Sequence, residues 1–190
     1  MNASHELDCN VYLLDRDTAQ AVIDCGTGYG VLASLAELAR DGFATGNVST
    51  VLLTHAHQDH AGGASQWRHA TGAAIAASTE TAAIIEAGDE EANGLFGGRL
   101  AGIYPMDCRL DACKVDIRLV HGEYITIGDL TLEAIATPGH SSDMMSYIVP
   151  GAEGAVQRRH RLCGWPDRFL TNNRLLDRRS GRIRAASVPL

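Results

Sequence analysis

Residues 52–63 read Leu-Leu-Thr-His-Ala-His-Gln-Asp-His-Ala-Gly-Gly, placing His55, His57, Asp59 and His60 within six positions directly after the apolar run "STVLL". The run reads as a short buried strand, so the ligand-type residues start where it ends. His55 and His57 are two apart, and in an extended segment both point to the same side and reach one ion. Neutral imidazole and carboxylate are the usual ligands of zinc and other borderline divalent ions. Asp59 and His60 follow, before small residues that allow a turn and a close backbone approach. In such a turn they aim at a second point beside the first. The spacing H-x-H-x-D-H therefore suits two neighbouring metal positions served by one loop. It differs from H-E-x-x-H, in which two histidines share a helix face.

A catalytic zinc usually takes three protein ligands plus water, so a further ligand must come from elsewhere. The stretch "ATPGHSSDMMSY" supplies His140 in a loop off the strand "LTLEAIAT". His5, His69, His121 and His160 have no comparable surroundings and read as structural or solvated. Cys108 and Cys113 could form a zinc pair, but without a C-x-x-C spacing they read more simply as buried or idle thiols.

The chain has 190 residues, the size of one domain with a sizeable core. Five cysteines argue against a disulfide-built secreted scaffold. No apolar run reaches the roughly 20 residues of a membrane helix, and the start "MNASHELDCN" lacks a signal-peptide pattern. These features lead us to expect a soluble, cytoplasmic protein with no membrane partner. The net charge of −7 is divided unevenly. Residues 1–156 carry seven Lys/Arg against 21 Asp/Glu, whereas residues 157–190 carry nine Arg against two Asp. An acidic body argues against a nucleic-acid partner.

Along the chain, "NVYLLDR" and "QAVIDCG" read as a hairpin and "VLASLAELARDG" as an amphipathic helix. "ASQWRHAT" reads as a helix and "AAIAAS" as a strand. "STETAAIIEAG" reads as a helix capped by Ser78 or Thr79. Residues 88–114 have weak periodicity and several glycines, and read as a loop or lid. "VDIRLVHGEYITIGDLTLEAIATPGH" reads as three strands separated by turns. The fold class is α/β with mixed sheets. "GTGYG" is not a dinucleotide signal, since it lacks the full G-x-G-x-x-G and follows a hairpin strand.

"THAHQDHAGG" and "TPGHS", about 80 residues apart and preceded by "VIDCGTG", resemble the metallo-β-lactamase fold superfamily over roughly residues 8–155. The resemblance implies an αββα sandwich of two mixed β-sheets with a metal site at the sheet edges. It implies that His55, His57 and His140 hold a first zinc (or iron) ion. Asp59 and His60 would hold a second, with Asp59 also orienting the nucleophilic water. Asp24 of "IDCG" would support the metal loop. A hydrolase of a small ester or thioester, similar to hydroxyacylglutathione hydrolases, is the expected activity, by attack of metal-activated hydroxide. Iron-dependent oxidoreductases of the same fold, such as persulfide dioxygenases, use similar ligands and are the alternative enzyme class. A chain that binds metal without turnover is the non-enzymatic one.

The superfamily also has a bridging aspartate in a segment like "LFSGD" after the "TPGHS" strand, and this is absent from residues 155–190. Reading triplets from the second base of the Ala155 codon permits Leu-Phe-Ser-Gly-Asp-Thr-Val-Phe-Ala-Gly-Gly-Arg-Ile. Residues 155–190 are therefore expected to be an out-of-frame, disordered Arg-rich tail, which would leave residues 1–154 as an incomplete domain. A genuine basic extension for an acidic partner is the alternative.

Overall fold

The computed structural model describes residues 5–16 and 18–150 and the backbone of residues 182–185. Strand β1 (Tyr12–Arg16) pairs antiparallel with β2 (Ala19–Ile23), the expected hairpin. Helix α1 (Val31–Arg40) returns the chain to β3 (Val48–Leu52), which runs parallel to β2. The short helix α2 (Gln58–Ala61) and α3 (Ala64–Thr71) lead to β4 (Ala74–Ser78), parallel to β3. Helices α4 (Thr79–Ala87) and α5 (Leu95–Leu100) precede β5 (Ile117–Leu119), parallel to β4. A second sheet follows, built antiparallel from β6 (Tyr124–Ile127), β7 (Leu130–Ala136) and β8 (Met145–Ile148).

The first sheet has the order β5-β4-β3-β2-β1-β9, where β9 (Arg182–Ala185) lies antiparallel to β1. It is mixed, as expected; the second sheet, order β6-β7-β8, is purely antiparallel among the described residues. The expectation of a disordered, out-of-frame tail concerns residues 155–190, which apart from the four of β9 lie outside the described residues.

Side-chain alternation divides the core into two layers. Leu13, Val22, Val51, Ile75 and Ala77 face the helices, packing with Val31, Trp67 and Ile85. Leu14, Ala21, Leu52, Ala76 and Leu119 face the other way and meet Ile125, Ile127, Leu132, Ala134 and Met145 of the second sheet. This period of two sets one face of a central strand against helices and the other against a sheet. It also explains why β3 reads as almost continuously apolar: both of its faces are covered. Ser78 caps α4, its Oγ accepting from the Thr81 amide at 3.0 Å. The region expected to be an irregular loop or lid contains α5, whose Gly97 and Gly98 hide its helical character in the sequence.

No helix among the described residues is long and apolar enough to cross a membrane.

Candidate metal centre

The segment leaving β3 carries His55 and His57, and the β7–β8 connection carries His140. Both connections emerge at the same end of the sandwich, where the Met145 amide donates to the Thr54 carbonyl at 2.7 Å. One ring nitrogen from each of His55, His57 and His140 lies within 4.8 Å of the other two. His57 Nδ1 and His140 Nε2 are 2.9 Å apart. The structure thus brings together the three residues expected to share one ion.

Asp59 and His60 depart from the expected turn. Residues 58–61 form a helical turn instead, with the Ala61 amide donating to the His57 carbonyl at 2.8 Å. Both side chains project from this turn, and His60 Nε2 stands 3.5 Å from Asp59 Oδ2. Gly63 serves close approach, not turning. Its amide donates to the Gly26 carbonyl at 2.8 Å, and a Cβ there would collide with the Cys25 carbonyl oxygen.

The donor set fits a divalent ion on two grounds. First, His55 is fully buried, and its Nδ1 contacts Thr54 Oγ1 at 3.0 Å, whereas its Nε2 is buried without a hydrogen-bond partner among the described residues. A buried, unpaired ring nitrogen is costly unless something occupies it. Second, nitrogens about 2 Å from a tetrahedral ion stand roughly 3.3 Å from each other, and the trio's mutual distances, all within 4.8 Å with one pair at 2.9 Å, accommodate that spacing. Burial lowers the His55 pKa to about 4, with His60 the next contributor, so the imidazole is neutral at pH 7 as a ligand must be. Burial lowers the His57 pKa also, helped by His140.

Two buried carboxylates hold this arrangement from behind. Asp24 has φ of +60°, the one positive φ among the described non-glycine residues, and its Oδ1 accepts from the Thr54 amide at 2.8 Å. Its Oδ2 meets His60 Nδ1 at 2.8 Å, which leaves Nε2 as the outward ring atom. Asp24 thus supports the loop from beneath, as expected from the resemblance. Asp143, three residues after His140, was not singled out in the sequence. Its Oδ2 accepts from the Ala56 amide at 2.8 Å and from Thr81 Oγ1 at 2.7 Å, and its Oδ1 accepts from Ser141 Oγ. Burial pushes its carboxyl pKa up, but hydrogen bonds from Ser141, Thr81 and Ala56 outweigh that and hold it below the usual range. Asn93 Nδ2 donates to the Ala56 carbonyl, so both backbone polar groups of the residue between the two histidines are fixed. Only position relative to "TPGH" could have pointed to Asp143; nothing in the sequence pairs Asn93 with residue 56.

A second group of ligand-type atoms joins Cys9, Asp24 and His60 within 4.8 Å. Burial pushes the Cys9 thiol up to about 12, so it stays protonated in the metal-free chain and reads as packing beside the Asp24–His60 pair. Cys108 and Cys113 are buried and belong to neither group. His121 Nδ1 accepts from the Ala136 amide at 3.2 Å and His5 Nδ1 from the Leu7 amide at 3.3 Å, structural uses of both rings. His69 is exposed, and His160 lies outside the described residues.

Residues 6–155 match the model of the metallo-β-lactamase superfamily. A hydroxyacylglutathione hydrolase of Rhodopseudomonas palustris (strain BisB18) is 29% identical over 130 residues, 68% of this chain and 38% of the relative. An atrochrysone carboxyl ACP thioesterase of Cryptosporiopsis is 26% identical over 142 residues, 74% of this chain and 34% of the relative. The chain thus spans little more than a third of either relative's length. Among solved structures, a subclass B3 metallo-β-lactamase of Bradyrhizobium japonicum superposes with a TM-score of 0.61 at 26% identity, covering 77% of this chain and 56% of that one.

Proposed function

The chain belongs to the metallo-β-lactamase superfamily, and from that premise we propose that it is a metal-dependent hydrolase of a small thioester or ester. The observation that carries this reading is the convergence of His55, His57 and His140 around the unpaired Nε2 of His55. The names of the two curated relatives, a hydroxyacylglutathione hydrolase and an acyl-carrier-protein thioesterase, favour thioesters.

His55, His57 and His140 would hold the ion, zinc being our first choice for an all-imidazole set. Such an ion acidifies a bound water and neutralises the charge that develops on the substrate carbonyl. Thr54 Oγ1 can accept from His55 Nδ1–H, fixing the tautomer that presents Nε2. Its hydroxyl proton goes to Asp24. Asp59 lines an open groove beside His57. From there its carboxylate can accept a hydrogen bond from the attacking water and aim a lone pair at the carbonyl. It can then relay the proton to the leaving thiolate or alkoxide. Asp59 and His60 would take a second ion weakly, because the expected bridging carboxylate is absent from residues 155–190 and a single anion stabilises two dications poorly.

The test is a metal titration of the stripped full chain, followed by assay on S-acyl thioesters and aryl esters. We expect one tight zinc site, at most one loose site, and hydrolysis that appears with the tight site. Absence of turnover with the tight site filled, or iron with O₂ consumption, would overturn the hydrolase reading. Two equally tight sites would overturn the weak second site.

A further inference from the structure

Beside the ligand loop lies a groove of about 300 Å³, lined by His57, Asp59, Gly94, Gly97, Ile103 and Tyr104 among others. Its far wall is α5 and the segment after it. Gly97 does not have a positive φ, and a Cβ built there would meet nothing within 4 Å. The missing side chain is therefore room rather than a conformational need. Gly98 acts differently: a Cβ there would lie 2.5 Å from the Tyr104 ring, so this glycine lets Tyr104 close against the helix.

The same segment carries apolar side chains open to solvent. Ile103, which lines the groove, is 58% exposed, and Leu100 and Met106 are 72% and 70% exposed. Neither of its two cations lines the groove, although Arg109 is exposed. Arg99 pairs with Glu90 and donates to the Cys108 carbonyl, and Arg109 donates to the Met106 and Cys108 carbonyls. The one formal charge lining the groove is Asp59, an anion. No cationic side chain is among the lining residues, so a charged group at the far end of an acyl chain would be desolvated there without a partner.

Resting on the hydrolase reading above, we propose that this groove seats an uncharged, apolar acyl chain of the substrate and that Gly97 sets its depth. The volume is at the lower end for small-ligand sites and suits a chain of about six to eight carbons. The groove begins at His57 and Asp59, so a chain lying in it leaves the acyl carbonyl at the metal centre. Each methylene buried against Ile103 and Tyr104 raises kcat/KM about fourfold.

The zinc-loaded full chain is assayed on p-nitrophenyl acetate, butyrate, hexanoate and octanoate, with the monoglutarate ester as the anionic member. Binding of the uncharged amides octanamide and acetamide is measured in parallel by calorimetry on loaded and metal-free protein. We expect kcat/KM to climb through hexanoate, and the glutarate ester to fall below butyrate. Gly97→Leu should cut the octanoate-to-acetate ratio at least tenfold with unchanged metal content and melting temperature. Leu32→Ala, which removes an exposed side chain from α1, should leave that ratio unchanged. A flat chain-length profile, a preference for the anionic ester, or an unaltered ratio in Gly97→Leu overturns the proposal while the hydrolase reading stands. If no ester is cleaved but octanamide binds and Gly97→Leu abolishes that binding, the hydrolase reading falls and the acyl groove stands. A concentration-dependent dimer lost on Leu100→Ser, with no octanamide binding, assigns the apolar segment to a second copy and overturns the proposal.

Discussion

Replacing Asp143 by alanine removes one side chain and strips three donors of their acceptor. The residue is 6% exposed, and its oxygens hold the Ala56 amide at 2.8 Å, Thr81 Oγ1 at 2.7 Å and Ser141 Oγ. A hydrogen bond to a charged acceptor contributes about 1.5–3 kcal/mol, and an orphaned buried donor costs about 1–3 kcal/mol. Ser141 and Thr81 can turn their hydroxyls elsewhere; the Ala56 amide cannot. We therefore expect Asp143→Ala to lose about 3–5 kcal/mol of metal-free stability in urea unfolding. Ala56 lies between His55 and His57, so zinc affinity should fall about 10- to 100-fold, read by competition with a chromophoric chelator. Asp143→Asn keeps an oxygen for Ala56 and Thr81 and can donate to Ser141, and should lose only about 1 kcal/mol. Wild-type zinc affinity in the alanine variant, or equal losses in both variants, would refute the claim that hydrogen bonding through Ala56 positions the two histidines.

His57→Ala should abolish the tight metal site, seen as loss of bound zinc after dialysis with an unchanged fold by circular dichroism; retained stoichiometry refutes the ligand assignment. Gly63→Ala drives a methyl group into the Cys25 carbonyl and should cost about 1–3 kcal/mol in thermal unfolding; a neutral result would mean the α2–α3 junction moves freely. In the metal-stripped chain, burial lowers the His55 pKa to about 4, against the ordinary imidazole value of 6.5 in the unfolded chain. Between those values the unfolded state binds more protons, so stability falls as pH drops through that window, by about 3 kcal/mol in all. A melting temperature constant from pH 7 to 4.5 would show that burial of His55 is overstated.

The first ligand set was legible because its parts carry independent signals. Two-residue spacing after an apolar strand sets His55 and His57 on one side, and Pro-Gly before His140 marks a loop off a second strand. The hairpin, α1, α3 and β4 were legible from period and turn residues alone. Asp59 and His60 were found as residues, but their helical turn was not, since Ala-Gly-Gly favours a bend in isolation and only the packing of Gly63 on the β2 loop makes it a helix junction. Asp143 was on the page without a role: a carboxylate near a metal motif is equally a ligand or an anchor until the distant Ala56 and Thr81 are placed. The groove was least legible, because two adjacent glycines weaken the helical signal of α5 and an absent side chain leaves no mark of its purpose.

His57 and His140 meet although 83 residues separate them along the chain. An ion held by both acts as a reversible cross-link closing a loop of that length, and by the chain-entropy reckoning used for disulfides such a closure is worth roughly 4–5 kcal/mol. The two rings cannot meet until β4, β5, β6 and β7, which lie between them along the chain, are in place. We therefore expect capture of an ion to come late in folding, as a lock on an assembled sandwich rather than a seed for it. Metal offered earlier would find only His55 and His57, and should bind loosely and exchange until His140 arrives.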